Sequence, residues 1–505
     1  MRKWLVLPMV ILMVISLVPA VGQAEEQPEE FRAIWVDAFH DGIKTPEQVD
    51  KLVQDVQEAN ANAVVVQVRR RGDSYFNKSL EPRSQDPALE SDFDALEYLI
   101  EKAHQADIEV HAWLTTLPIW NSLYPPESEE HAFNQHGPSA SGEDYWLTES
   151  ISGDNRSGAD YILDPGHPDA ADYTADQYVN VVKEYDVDGV HLDLVRYTDP
   201  TWGYNPTSVD RYLTQTGTED VPEPENPQWK DWRRQQVNNL VRQVYLRSIA
   251  EDPGVKVSAA VIAWGKGPET MEEYKQSAPY STVLQDWNGW LEEGIVDLAI
   301  PMNYDREHVP LQKAWYDLWI EWEKNHQYDR QVAAGPGSFI NTIEGTLAQI
   351  NRALQPSAEG NRLAGVSLYS YASTNNSGIE NDTFFQALSE ESEYGEPVFS
   401  EPAAIPDMPW KTNPTKGHLM GYLMDEDGDP VDNGKVVLRG SKGKTYQFET
   451  DGNGFFGLTD LPDGHYVAQI DGETGEGAAK PLDIEAGVVT ETELQVKAVP
   501  QSSNN

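Results

Sequence analysis

The sequence predicts an α/β protein, a (β/α)8 TIM barrel followed by a small all-β sandwich. Three observations carry this. Between Phe31 and Glu391, apolar runs of strand length alternate eight times with amphipathic stretches of helical length, the pattern of a parallel sheet with crossover helices. No glycine-rich phosphate turn follows the first run, which favours a closed barrel over an open doubly wound sheet. Beyond Gly417, short alternating strands are separated by the turn dipeptides Asp427-Gly428, Asn433-Gly434, Asp451-Gly452 and Asp463-Gly464.

The elements follow in chain order. Met1-Arg2-Lys3, the apolar run Trp4–Val18 and the small residues ending at Gly22-Gln23-Ala24 have the order of a secretory signal peptide. The run is short of the roughly 20 residues that span a bilayer, so 1–24 is expected to be cleaved, leaving no membrane anchor. The mature chain is then secreted, extracellular or cell-wall associated. The barrel is expected over 30–393. Its strands are Phe31–Phe39, Ala61–Arg69, Ile108–Thr116, Val187–Tyr197, Lys256–Ala263, Val296–Tyr304, Arg330–Gly337 and Leu363–Tyr371. Helical patterns such as Glu47–Ala59, Asp92–Ala106, Asp169–Tyr185 and Gln228–Ala250 lie between them. Pro, Glu and Ser dominate 394–416, which reads as a linker. The sandwich is expected over 417–498, with strands at Leu419–Met424, Lys435–Leu438, Tyr446–Thr450, Phe455–Leu458, Tyr466–Ile470 and Thr492–Val496. Residues 499–505 are expected to form a disordered tail.

Composition narrows the function. The 505 residues carry 37 basic against 84 acidic side chains, a net charge of −47. Nucleic acid binders need a basic patch, so that class is excluded, and anionic membrane surfaces are disfavoured. Cysteine is absent, which removes disulfides, thiolate metal sites, a cysteine nucleophile and a lipid-modified cysteine. No His-Glu-x-x-His or Gly-x-Ser-x-Gly motif occurs, so hydrolysis without metal or cofactor is favoured over zinc or serine-triad chemistry. Asp425-Glu-Asp-Gly-Asp429 has its glycine misplaced for a calcium loop and reads as a hairpin turn.

Alternation along the strands sorts lumen from helix layer. Val190, Leu192 and Leu194 form an apolar outer set, leaving His191 and Asp193 inward, with Asp193 nearer the carboxyl end. By the same reading Gln67 and Arg69, His111 and Trp113, Trp35 and Asp37, and Ser367, Tyr369 and Tyr371 share lumen faces. Three loops at that rim are rich in chemistry: Arg69-Arg70-Arg71-Gly72-Asp73, Arg196-Tyr197, and Asn303-Tyr304-Asp305-Arg306-Glu307. Carboxylates, arginines and aromatics at a barrel mouth suit sugars, whose ring faces stack on aromatics and whose hydroxyls take charged partners. The candidate sugar-binding residues are therefore Asp37, Arg69, Arg71, Asp73, His111, Trp113, His191, Arg196, Tyr197, Asn303, Tyr304 and Tyr369. Glycoside hydrolysis needs two carboxyls flanking the bond, roughly 5–10 Å apart. Asp193 is the first choice, expected to stay ionised beside Arg196. Asp305 is preferred as the second, in competition with Glu307, Asp73 and Asp37.

A series of short segments runs through the barrel: Phe31-Arg-Ala-Ile-Trp35, Val66-Gln-Val-Arg69 with Arg71-Gly-Asp73, Leu80-Glu-Pro-Arg83 and Glu109-Val-His-Ala-Trp-Leu114. Leu163-Asp-Pro-Gly-His-Pro168, Val187-Asp-Gly-Val-His-Leu-Asp193 with Arg196-Tyr197, and Pro301-Met-Asn-Tyr304 continue it. Together they resemble the glycosyl hydrolase-like 10 family of exported bacterial barrel proteins. The resemblance implies a (β/α)8 glycosidase, with members acting on cell-wall glycan, notably strands stripped of stem peptides, and a catalytic-type aspartate at Asp193. Asp188-Gly-Val-His-Leu-Asp193 and Met302-Asn-Tyr-Asp305 also resemble family 18 chitinases, but Val195 stands where those carry their catalytic glutamate. Gly421-Tyr-Leu, Thr450-Asp-Gly-Asn-Gly-Phe455 and Leu461-Pro-Asp-Gly-His-Tyr466 are similar to carboxypeptidase regulatory-like (transthyretin-like) domains, which implies a scaffold or glycan-contact role. The expected function is an exported glycoside hydrolase acting on a bacterial polysaccharide, most of all peptidoglycan strands. A non-catalytic glycan-binding protein on the same barrel is the alternative.

Overall fold

Eight parallel strands close on themselves in chain order: β1 (Phe31–Val36), β2 (Ala63–Arg69), β3 (Glu109–Thr115), β4 (Gly189–Asp193), β5 (Lys256–Ile262), β6 (Leu298–Asn303), β7 (Gln331–Pro336) and β8 (Gly365–Tyr369), with β1 beside β8. The computed structural model describes residues 28–441, 443–470 and 479–496, so the predicted signal peptide and tail lie outside the described residues. All eight strands fall within the predicted runs. The outer set, including Val64, Val66, Val110, Ala112, Val190 and Leu192, is buried in one continuous core with the helices. Each valine or leucine among them contributes roughly 1.5–3 kcal/mol on leaving water. Inside the barrel, Phe31, Ala33, Trp35, Val65, Trp113, Leu298 and Ile300 form a second, separate cluster. Gly189 opens β4 because a Cβ there would lie 2.4 Å from His111 Nδ1, so the glycine makes room for an imidazole in the lumen.

Two local departures change where side chains point. The β2–β3 register shifts between Gln67 and Arg69, a bulge that gives β2 one extra residue. Gln67 stays in the lumen, donating to Thr115 Oγ1 at 2.9 Å, whereas Arg69 swings to the outer layer. β4 ends at Asp193, earlier than predicted, because Leu194 turns into the left-handed region at φ 55°. Alternation therefore does not extend to Tyr197.

The sandwich pairs a sheet of β12 (Phe455–Pro462), β9 (Lys416–Met424) and β15 (Val489–Gln495) with one of β11 (Thr445–Glu449), β10 (Lys435–Gly440), β13 (Gly464–Ile470) and β14 (Ala479–Ile484). β14 was not among the predicted strands. Its Lys480-Pro481 breaks the alternating pattern, and a proline is tolerated because β14 is an edge strand. The sandwich lies along the helix Pro227–Glu251, where Gly457 of β12 permits an approach that would put a Cβ 2.2 Å from Leu246.

The segment predicted as a linker packs across the lower, amino-terminal end of the barrel. Ala404 bridges to Glu29, Asn60 and Asn62 donate to the carbonyls of Phe399 and Ala403, and Arg32 donates to that of Glu401. Met408 is buried among the lumen residues of the same end. Asp297, fully buried before β6, fastens this strap. One oxygen accepts from Trp410 Nε1 at 2.7 Å and the Tyr245 hydroxyl at 3.1 Å; the other accepts from the Val257 amide at 2.8 Å and pairs with Lys411 at 3.1 Å. Asp297→Ala should cost about 3–5 kcal/mol, because it leaves a buried lysine and three donors unpaired. Denaturant unfolding checks this; a loss below about 1 kcal/mol would show that the strap does not depend on it.

Candidate active site

The carboxyl ends of the strands surround a cavity of about 290 Å³. Its aromatic wall is built by alternation: Trp35 from β1, Trp113 from β3 and Tyr369 from β8 meet edge to face or tilted, with Trp35–Tyr369 centroids 5.5 Å apart. Tyr304, just past β6, stacks on Tyr369 at 5.6 Å. His191 lies below, its Nδ1 2.9 Å from Ser258 Oγ and its ring 5.5 Å from Trp35.

Asp193 is the one carboxylate in the cavity wall among the described residues. Oδ2 accepts from Trp113 Nε1 at 3.1 Å, and Oδ1 accepts from the Leu194 amide at 2.7 Å, a bond that the left-handed Leu194 makes possible. Its own carbonyl accepts from the Thr116 amide at 2.7 Å, which fixes the strand end. Burial pushes the carboxyl above the ordinary aspartate value, while Arg196 and the two donors pull the other way without cancelling it. Arg196 forms no ion pair with Asp193; its guanidinium lies 5.2 Å from the Trp264 ring, and burial lowers its own pKa. Burial therefore outweighs the arginine in direction, and the carboxyl lies above its ordinary value despite Arg196.

Of the predicted residues, the structure brings Arg71, Trp113, His191, Asp193, Arg196, Tyr304 and Tyr369 to this cavity. Arg71 also pairs with Asp160 at 2.9 Å. Asp73 lines a side cleft of about 360 Å³ that shares Phe39, Arg70 and Arg71 with the main cavity. The others lie elsewhere. Asp37 is buried beneath the rim, accepting from the amides of Phe39 and His40 and pairing with His40 Nδ1 at 2.8 Å. Arg69, turned outward by the bulge, pairs with Glu81 at 2.7 Å and donates to the Thr115 and Thr116 carbonyls. His111 faces the lumen but sits deeper, beside Glu109 at 3.2 Å and the ring of Phe31. Tyr197 is buried outside the barrel, donating to Asp164 at 3.2 Å.

Asn303 and Asp305 point into the helix layer, because Met302 and Tyr304 hold the lumen face of that strand end. Asn303 donates to Glu323 at 2.8 Å, and the Asp305 carbonyl accepts from Asn341 and Gln349 at 2.9 Å. Burial pushes Asp305 up to about 7 and Glu323 up to about 8. Sequence reasoning missed Arg70, Phe39 and Trp264, which line the rim. Arg70 stood in the basic triplet already noted, and Trp264 follows directly on a predicted strand. No group of three or more metal-ligating side chains occurs among the described residues.

Residues 30–349 match the family model described as Glycosyl hydrolase-like 10. The chain belongs to the glycosyl hydrolase-like 10 family. The family member described here is similar to Glycosyl hydrolase YngK of Bacillus subtilis (strain 168), 25% identical over 82% of this chain and 80% of the relative. It is similar also to Glycosyl hydrolase DigH of Escherichia coli (strain K12), 24% identical over 55% of this chain and 62% of the relative. Among solved structures, the PgaB (BpsB) glycoside hydrolase domain from Bordetella bronchiseptica shares the fold, with a TM-score of 0.51 and 15% identity, covering 72% of this chain and all of that one. This family member is a glycoside-hydrolase-like enzyme whose TIM barrel acts on polysaccharide. No helix among the described residues is long and apolar enough to cross a membrane.

The buried pair behind β6 makes stability depend on pH. Asp305 and Glu323 hold protons when folded that the unfolded chain releases near its ordinary carboxylate values, so their contribution is full at low pH. It is lost as pH rises through about 7 and about 8. The double variant Asp305→Asn with Glu323→Gln should therefore flatten the fall in Tm between about pH 5 and about pH 9. An undiminished fall would assign it to other groups.

Proposed function

We propose that this enzyme cleaves glycan strands of bacterial peptidoglycan outside the cell, with Asp193 as general acid. The observation that carries the reading is a single carboxylate, raised by burial and held by Trp113, in an aromatic cavity at the barrel mouth. A general acid must enter the reaction protonated, and a raised pKa supplies that form nearer neutrality. The wall aromatics give sugar rings stacking faces. The signal-like N-terminus supports export, and the sandwich fixed beside the barrel supports a cell-wall or glycan contact.

The absence of a second carboxylate in the described wall favours a particular mechanism. Asp305 lies behind β6, and Asp37 is committed to the turn beneath the rim. A 2-acetamido sugar carries its own nucleophile, as in substrate-assisted glycosidases. Asp193 donates its proton to the glycosidic oxygen as the C1–O bond breaks, and the acetamido oxygen bonds to C1. Water then opens that ring, giving its proton to the Asp193 carboxylate. Peptidoglycan strands consist of such sugars. For a two-carboxylate scheme the first candidate is Asp37, which with Asp193 acts on Tyr369 electrostatically.

Reducing-end release from peptide-stripped strands tests the reading. Asp193→Asn should lose at least about a hundredfold in kcat while still binding strands. Near-native turnover would remove Asp193 from the chemistry, and binding without turnover by the native enzyme would leave a glycan-binding protein. Asp37→Asn separates the mechanisms: a loss as large as that of Asp193→Asn would restore the two-carboxylate scheme. Arg196→Gln should shift the alkaline limb of the kcat profile to higher pH, because Arg196 is what pulls the Asp193 pKa down.

A further inference from the structure

We propose that the barrel mouth selects a sugar chain bearing carboxylates, with Arg70 as the anchor for the anionic group. This rests on the proposed glycosidase reading and names the substrate's charge. The first support is a contrast of sign. The chain carries a net charge of −47, yet the cavity wall holds three arginines and one carboxylate. Low-dielectric walls focus such a field, so an anion is drawn to a wall whose arginines outnumber its carboxylates.

The second support is how those arginines are used. Arg71 is paired with Asp160 at 2.9 Å, and Arg196 faces Asp193, whose pKa it lowers. Lys44, across the side cleft, is paired with Asp86 at 2.8 Å. Arg70 has no carboxylate partner among the described residues. Its neighbours are the Phe39 ring, 3.9 Å from the guanidinium carbon, and the Tyr75 hydroxyl. Its Nε is buried with no hydrogen-bond acceptor, as is that of Arg196, but Arg196 has the Asp193 carboxylate facing it and Arg70 has none. A carboxylate arriving on the planar guanidinium would give Arg70 the charged partner it lacks, through charge-assisted bonds.

Placement completes the argument. Arg70 and Phe39 line both the Asp193 cavity and the side cleft, so they stand at the junction of two compartments. A sugar beside the scissile bond can rest on Phe39 while its carboxylate reaches Arg70. Two sources fit this chemistry: the lactyl ether carboxylate of peptide-stripped strands, and the ring carboxylate of a hexuronate glycan.

The experiment compares three substrates: peptide-stripped strands, the same strands after reduction of their carboxyls to alcohols, and hyaluronan, an alternating hexuronate and acetamido-sugar chain. The native enzyme should prefer stripped over reduced strands by on the order of 10–100-fold in kcat/KM, chiefly through KM. Added salt should narrow the gap. Arg70→Gln should collapse the ratio by losing far more on the acidic strands than on the reduced ones. Arg70→Lys, which keeps the charge without the fork, should keep part of it. A preference for hyaluronan over stripped strands would place the carboxylate on the ring. Equal use of stripped and reduced strands by the native enzyme overturns the proposal. So does an equal loss on both in Arg70→Gln, which would make Arg70 a structural shelf for Phe39. Calorimetric binding of stripped and reduced fragments to Asp193→Asn reads the same preference without turnover. Failure to cleave any strand would thus count against the glycosidase reading alone.

Discussion

Closure of the barrel is the constraint from which the rest follows. Once eight parallel strands meet edge to edge, every side chain on them is assigned either to the lumen or to the helix layer, with no third choice. This assignment, more than residue type, decides which carboxylates can do chemistry. Asp193 and Asp305 are both buried aspartates with raised pKa values at the ends of strands. One lines the mouth, and the other is buried behind β6 with its backbone carbonyl held by Asn341 and Gln349.

The same constraint explains what could be read from the sequence. The eight strands were legible because apolar periodicity and helical spacing reported them directly, and alternation placed Trp113, His191, Asp193 and Tyr369 on the inner face. It failed where the backbone changed phase without a compositional sign. The bulge near Gln67 turned Arg69 outward, and the left-handed Leu194 ended β4 before Tyr197. Asn303 and Asp305 were chosen for the polar chemistry of the loop after the sixth strand rather than from parity, and parity would have favoured Met302 and Tyr304. His111 was placed on the right face at the wrong depth, which periodicity cannot report. Arg70 and Trp264 sit in loops, where no period exists to orient them.

The site sets burial against charge. A carboxyl in an aromatic well is pushed toward its neutral form, while a guanidinium close by restrains that push without forming a bond. Arg196 is itself held over Trp264 and away from direct contact. Direct pairing would favour the anion more strongly, and removing the arginine would leave burial unopposed except by the Trp113 and Leu194 donors. The intermediate arrangement suits the general-acid role proposed for Asp193.

The strap across the barrel's lower end has a consequence for traffic. With Met408 seated among the lumen residues and Trp410 fastened to Asp297, the lumen has a floor. A polymer cannot thread through a vessel closed at one end. On the proposed reading a strand lies across the rim and presents one unit to Asp193, so that its neighbours at Phe39 and Arg70, rather than the depth of the well, would choose the bond.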